Sequence, residues 1–126
     1  MRAVDTNVLV RILARDDPKQ VRVADQFVAA GAWVSLLALA ETMWVLSTVY
    51  ERDVRELGAS VEQLLNHKAL ILQDRDVVAA ALETFRSRSV LGFTDCLLLE
   101  VARKAGHLPL GTFDRNLGRI DGAEKL

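Results

Sequence analysis

The sequence predicts an α/β fold, one domain over residues 1–126 with a mainly parallel central sheet of four to five strands flanked by helices on both faces. Three observations lead there. Short apolar runs alternate with longer stretches whose apolar residues recur at helical spacing. Helix-start and helix-stop residues punctuate those stretches at Asp17-Pro18, Ser35 and Gly106. No internal repeat, low-complexity segment or Gly/Ser/Pro-rich linker interrupts the alternation.

Taken in order, Arg2–Val4 is a first strand and Thr6–Leu13 a helix. Asp17-Pro18 pairs an N-cap with a proline at the first helical position, opening a helix that runs to about Ala30 and stops at Gly31. Ala32–Val34 is strand-like, and Ser35 caps a long helix over Leu36–Tyr50. A further helix spans about Val54–Asn66, with Val54, Leu57, Val61, Leu64 and Leu65 along one face. Leu70–Leu72 is a short strand and Val77–Phe85 a helix. Gly92 breaks the chain before a helix over Thr94–Ala105, which Gly106 closes as a C-cap glycine. Leu108–Thr112 is the next strand, and Ala123–Leu126 adds an edge strand. In such sheets ligands gather at the carboxyl ends of the strands.

Composition narrows the partners. At 51% apolar and 26% charged residues the chain is that of an ordinary globular protein. No apolar run reaches the roughly eighteen residues needed to span a bilayer, so no membrane role is expected. The N-terminus shows no basic region followed by a long apolar core, and a cytoplasmic location is the expectation. Cys96 is the single cysteine, which excludes an internal disulfide and a cysteine-rich zinc site. His67 and His107 lack a zinc-ligand pattern. A net charge of −1 is unlike proteins that bind nucleic acid by broad phosphate neutralisation, so any such contact must be local.

Four acids are candidates for chemistry: Asp5, Glu41, Asp95 and Asp114. Each has an ordinary alternative. Asp5 can cap the helix starting at Thr6, Asp95 can complement a helix dipole, and Asp114 can cap a short turn over Arg115–Leu117. Glu41 lies too deep in its helix for capping, among Leu37, Ala38, Trp44 and Val45, with no Lys or Arg within one turn. Unless its face is exposed, an ionised carboxylate there needs a partner such as a metal ion. Together the four suit an oxygen-rich Mg2+ or Mn2+ site at the carboxyl edge of a parallel sheet. Without a cation, clustered carboxylates would repel and raise one another's pKa values.

The segments Val4-Asp5-Thr6-Asn7-Val8-Leu9, Leu39-Ala40-Glu41-Thr42-Met43-Trp44-Val45-Leu46, Gly92-Phe93-Thr94-Asp95 and Thr112-Phe113-Asp114-Arg115-Asn116-Leu117 resemble, in order and spacing, the PIN-domain ribonucleases. More narrowly, the chain looks like a VapC-type toxin of a prokaryotic toxin–antitoxin pair. The resemblance implies a Mg2+- or Mn2+-dependent endoribonuclease, a homodimer, an RNA substrate and inhibition by a small VapB-like antitoxin. It implies that Asp5, Glu41, Asp95 and Asp114 form the acidic site, with Asp5 and Asp95 foremost as metal ligands. Thr112 matches the hydroxyl residue before the last acid and would orient a water or a carboxylate. Thr6 and Asn7 match the segment that shapes the first loop.

Arg11, Arg15 and Arg115 lie near these motifs and are candidates for gripping RNA phosphates, or equally for solvated surface charge. Trp44, Leu46, Val49, Tyr50 and Leu57 can serve a dimer or antitoxin surface, or an ordinary core face. Three other readings stay open: a PIN nuclease of RNA maturation or DNA, a non-catalytic binding module, and a phosphoacceptor receiver-like domain. The last wants an acid pair near the first strand and a late lysine, and neither is evident.

Overall fold

The computed structural model describes residues 1–88 and 90–126, which divide into two compact units, Met1–Arg75 and Asp76–Leu126. In the first unit the order is β1 (Arg2–Ala3), α1 (Thr6–Ala14), α2 (Pro18–Val28), β2 (Ala32–Val34), α3 (Leu36–Thr48), α4 (Val54–Leu65) and β3 (Leu70–Leu72). Helix α5 (Arg75–Ser87) starts on the last residue of that unit. The second unit continues with α6 (Phe93–Ala105), β4 (Leu110–Thr112), a 3-10 turn (Leu117–Arg119) and β5 (Ala123–Lys125). The α/β class and the parallel pairing are as the sequence predicts. Among the described residues the strands are distributed as a three-stranded sheet, β1-β2-β3, and a two-stranded one, β4-β5.

Local chemistry explains the elements of the first unit. Ser35 and Asp17 each accept a hydrogen bond from the backbone three residues on, at Ala38 and Gln20, both at 3.0 Å. Asp53 and Glu56 form a reciprocal capping box at the start of α4. Gly31, at φ +98°, makes the left-handed turn into β2 that a side chain would disfavour. Alternation then sorts β2 and β3: Ala32, Val34, Leu70 and Leu72 are buried, while Trp33 and Ile71, paired in register, face outward. Leu9 and Ile12 of α1, Leu39 and Leu46 of α3, and Val61 and Leu64 of α4 form the interior of this unit.

In the second unit the buried stripe of α5 (Val77, Val78, Ala81, Leu82, Phe85) and Cys96 and Leu99 of α6 supply the core, with Phe85 set edge-on to Phe93 at 5.7 Å. Helix α5 extends past the predicted Val77–Phe85 because charged, exposed residues add turns outside the apolar stripe. Strand β4 starts at Leu110 and not Leu108, since the intervening Pro109 has no N–H to give a ladder. Helix α3 stops at Thr48, short of Tyr50, whose hydroxyl is held by Asp16 at 2.8 Å and Arg11 at 3.0 Å. Among the described residues no helix is long and apolar enough to cross a membrane.

Candidate functional site

The three parallel strands of the first unit run the same way, so their carboxyl ends share one edge. The residues leaving that edge are Asp5 after β1, Ser35 after β2 and Gln73 after β3. Gln73 ties the edge together: its Oε1 accepts from the Leu36 amide at 2.9 Å, and its own amide donates to the Val34 carbonyl at 2.8 Å. Asp5 and Glu41 line a cavity of about 260 Å³ with Val4, Thr6, Ser35, Leu37 and Ala38. The first two expected acids of the chain are therefore brought to one cavity, with Thr6 beside them.

Asp5 also does what the ordinary alternative required. Its Oδ1 accepts from the Val8 amide at 3.2 Å, capping α1. That bond occupies one lone pair of one oxygen, so capping does not exhaust the acceptor capacity of a carboxylate that also lines the cavity.

Glu41 differs from the expectation built on its neighbours. It is exposed, as are Leu37 (79%) and Trp44 (63%), the residues four before and three after it. Its carboxylate is hydrated, so no metal is needed to offset burial. Its candidacy rests instead on the cavity that it shares with Asp5.

In the second unit, Asp95 sits in the first turn of α6 and Asp114 follows β4. Asp95 is half-buried, and its carboxyl pKa is raised, first by burial and then by the charge of Asp114, with the Gly92 amide offsetting part of the effect. The second two acids therefore interact electrostatically. Asp114 is tightly placed: its Oδ1 accepts from the amides of Asn116 (2.8 Å) and Leu117 (3.0 Å), while its own amide donates to Thr112 Oγ1 at 3.0 Å. The capping alternative for Asp114 also holds, over the Arg115–Leu117 turn; the 3-10 turn that follows, Leu117–Arg119, has Asn116 at its N-cap with no side-chain cap bond. Thr112 acts on Asp114 through the backbone.

The remaining candidates separate. Asn7 lines a different cavity, of about 520 Å³, formed by α1 and α2 together with Arg11, Lys19, Gln20 and Phe27. Arg11 is committed to Gln20 (2.6 Å), Asp16 (3.0 Å) and Tyr50 (3.0 Å), and Arg15 to Asp25 (2.9 Å). The Tyr50 hydroxyl, ahead of Arg11, holds the Asp16 carboxyl below the usual carboxylate range. Arg115 is exposed and has no hydrogen bond or ion pair among the described residues. Leu46 and Leu57 are buried core, whereas Trp44 and Val49 are exposed. Cys96 is buried, and burial, then Asp95 and Glu100, push its thiol up to about 11, as suits a packing residue.

The donors fit a hard divalent cation. Asp5 and Glu41 offer carboxylate oxygens, and Thr6 and Ser35 hydroxyls, around one cavity. Among the described residues no group of three or more His, Cys, Asp or Glu is placed to hold a metal ion, so a cation here would rest on the two carboxylates and water. Mg2+ commonly manages with one or two carboxylates and several waters, so two per pair is a fitting complement. Ser35 and Gln73 were not among the expected site residues. Ser35 was legible as a cap, and only the strand register puts it on the acid-bearing edge.

A family model described as PIN domain matches residues 2–123, nearly the whole chain. The chain belongs to the PIN-domain family, whose members are generally nucleases and typically use a divalent metal. No curated protein and no solved structure gives a significant match.

Proposed function

We propose that the protein is a Mg2+- or Mn2+-dependent endoribonuclease, the toxin component of a type II toxin–antitoxin pair. The observation that carries the nuclease reading is the pairing of Asp5 and Glu41 at one cavity on the carboxyl edge of the sheet, in a chain of the PIN-domain family. The ordered resemblance to VapC-type toxins carries the narrower one.

Asp5, Glu41, Asp95 and Asp114 are the acids of the reaction, and Asp5 and Asp95 the foremost metal ligands. Bound there, the cation would neutralise phosphate charge and ease deprotonation of water. The chain's own part is positional. Capping α1 fixes Asp5, the turn amides and Thr112 fix Asp114, and Glu41 or Asp114 orients the attacking water and takes its proton. The water oxygen bonds to phosphorus, the bond from phosphorus to the 3′ oxygen breaks, and that oxygen is protonated from solvent. The products carry 5′-phosphate and 3′-hydroxyl ends, since this attack does not use the 2′-hydroxyl.

A homodimer and a small VapB-like antitoxin are the proposed protein partners, and the cytoplasm the proposed location. Exposed Leu37, Trp44 and Val49 on and just after α3 support a covered surface, and a segment seated over Leu37 and Trp44 would shut solvent and RNA away from Glu41. Light scattering at micromolar concentration tests the dimer; a monomer contradicts it. The nuclease reading is tested by incubating total RNA with purified protein in Mg2+, Mn2+ or EDTA, beside Asp5→Asn and Asp95→Asn. Cleavage should need metal and both acids. Cleavage that survives EDTA or both substitutions removes the mechanism.

A further inference from the structure

Phe113 is 81% exposed, the most exposed of the chain's large apolar side chains. An aromatic ring in water is a standing cost unless something covers it. The loop that carries it is fixed on both sides. Before it, Thr112 belongs to β4 and its hydroxyl accepts from the Asp114 amide at 3.0 Å. After it, Asp114 accepts from two turn amides, Gly118 donates to the Asp114 carbonyl at 2.9 Å, and Leu117 is buried. The ring is held out on a braced turn; Asp114, an acid proposed for the chemistry, follows it directly, and Arg115, a cation with no partner among the described residues, stands two positions on.

We propose that Phe113 is a stacking platform for one unpaired nucleobase of the RNA, with Arg115 gripping a phosphate beside it. This rests on the ribonuclease reading above. Three features select this occupant. Aromatic faces accept any base that is not already stacked in a helix, whereas in duplex RNA the bases stack on one another and the deep groove excludes side chains. Arg115, two positions further along the chain, complements the backbone charge. With a net charge of −1, the protein has no broad electrostatic field for RNA, so affinity must come from local contacts such as a stack and a single ion pair.

The test measures binding in EDTA, where metal-dependent cleavage is off. The probes are a short single-stranded RNA carrying 2-aminopurine, whose fluorescence falls on stacking, and the same strand annealed to its complement. Wild type should quench and prefer the single strand. Phe113→Ala should weaken binding by about 5- to 150-fold and lose the quench, with an unchanged melting temperature, while Phe113→Tyr should retain both. Arg115→Ala should weaken binding and lower its salt dependence by roughly one counterion.

Failure of wild type to bind the single strand, equal affinity for the duplex, or wild-type binding and quenching by Phe113→Ala each overturns the proposal. So does a shift in oligomeric state of Phe113→Ala with RNA binding intact, which makes the ring a protein contact. Cleavage by wild type in Mg2+ is scored apart. Stacking without cleavage removes the nuclease reading alone, and cleavage with unchanged KM in Phe113→Ala removes the stack alone.

Discussion

Asp5 carries two roles, and two substitutions at one position separate them. Its Oδ1 caps α1 through the Val8 amide at 3.2 Å, a solvent-exposed bond. Asp5→Ala deletes that acceptor and leaves the amide to water, which costs about 1 kcal/mol. Asparagine presents a carbonyl oxygen at the same place and caps as well as aspartate. Asp5→Asn therefore loses only the charge–dipole attraction, about 0.3 kcal/mol at an exposed terminus. Unfolding entropy is about 2.1 cal/mol/K per residue, or about 0.26 kcal/mol/K over 126 residues unfolding together. The expected falls in Tm are therefore about 4 °C for Asp5→Ala and about 1 °C for Asp5→Asn, read by calorimetry in EDTA.

Chemistry should rank the two variants differently. Both remove the carboxylate from the cavity shared with Glu41, so both should lose at least about 100-fold in RNA cleavage. Mg2+ should raise the Tm of wild type more than that of either variant. Equal melting of Asp5→Ala and wild type would show that the cap is worth nothing. Wild-type cleavage by Asp5→Asn would refute the assignment of Asp5 to the chemistry, whatever the melting curves show.

Glu41→Gln, at an exposed position, should stay within about 0.5 kcal/mol of wild-type stability yet lose at least about tenfold in cleavage; a large Tm loss with intact cleavage contradicts its placement. Asp95 gives a pH signature. Its carboxyl pKa is raised in the fold, so the folded state binds that proton more tightly. The stability it contributes is complete below the unfolded carboxyl value and is lost as pH rises through the folded one. In EDTA, Asp95→Asn should therefore be more stable than wild type at neutral pH, with the gap closing on acidification. A gap that widens in acid would contradict the burial and the Asp114 repulsion. Cys96, buried with its thiol pushed up to about 11, should resist iodoacetamide at pH 7 in the native protein and react on unfolding; rapid native alkylation would contradict its packing role.

Much of the fold was readable from local punctuation. Ala32–Val34 and Leu70–Leu72 match the expected strands residue for residue, and Asp17-Pro18, Ser35, Gly92 and Gly106 each mark the helix boundary that their chemistry demands. Where packing outweighs local preference, the boundaries move. Tyr50 leaves α3 because its hydroxyl bonds to Asp16 and Arg11, partners more than thirty residues away in sequence. The face of Glu41 was not legible for a related reason. Helix α3 is apolar on its exposed side as well as its buried one, with Leu37 and Trp44 outward and Leu39, Met43 and Leu46 inward, so periodicity offers no contrast. The likeness of Arg11 to a phosphate-binding side chain faded similarly, since its three partners come from two other parts of the chain. The cap role of Asp5 and its place at the cavity were both legible, one from residue type and the other from position at a strand's end.

The chemistry of the RNA ends tests the central claim most directly. A defined single-stranded RNA is digested in Mg2+ and in EDTA, and the products are weighed by mass spectrometry. Metal-assisted attack by water predicts fragments with 5′-phosphate and 3′-hydroxyl ends in Mg2+ and intact RNA in EDTA. Fragments ending in 2′,3′-cyclic phosphate, formed equally in both, would contradict it.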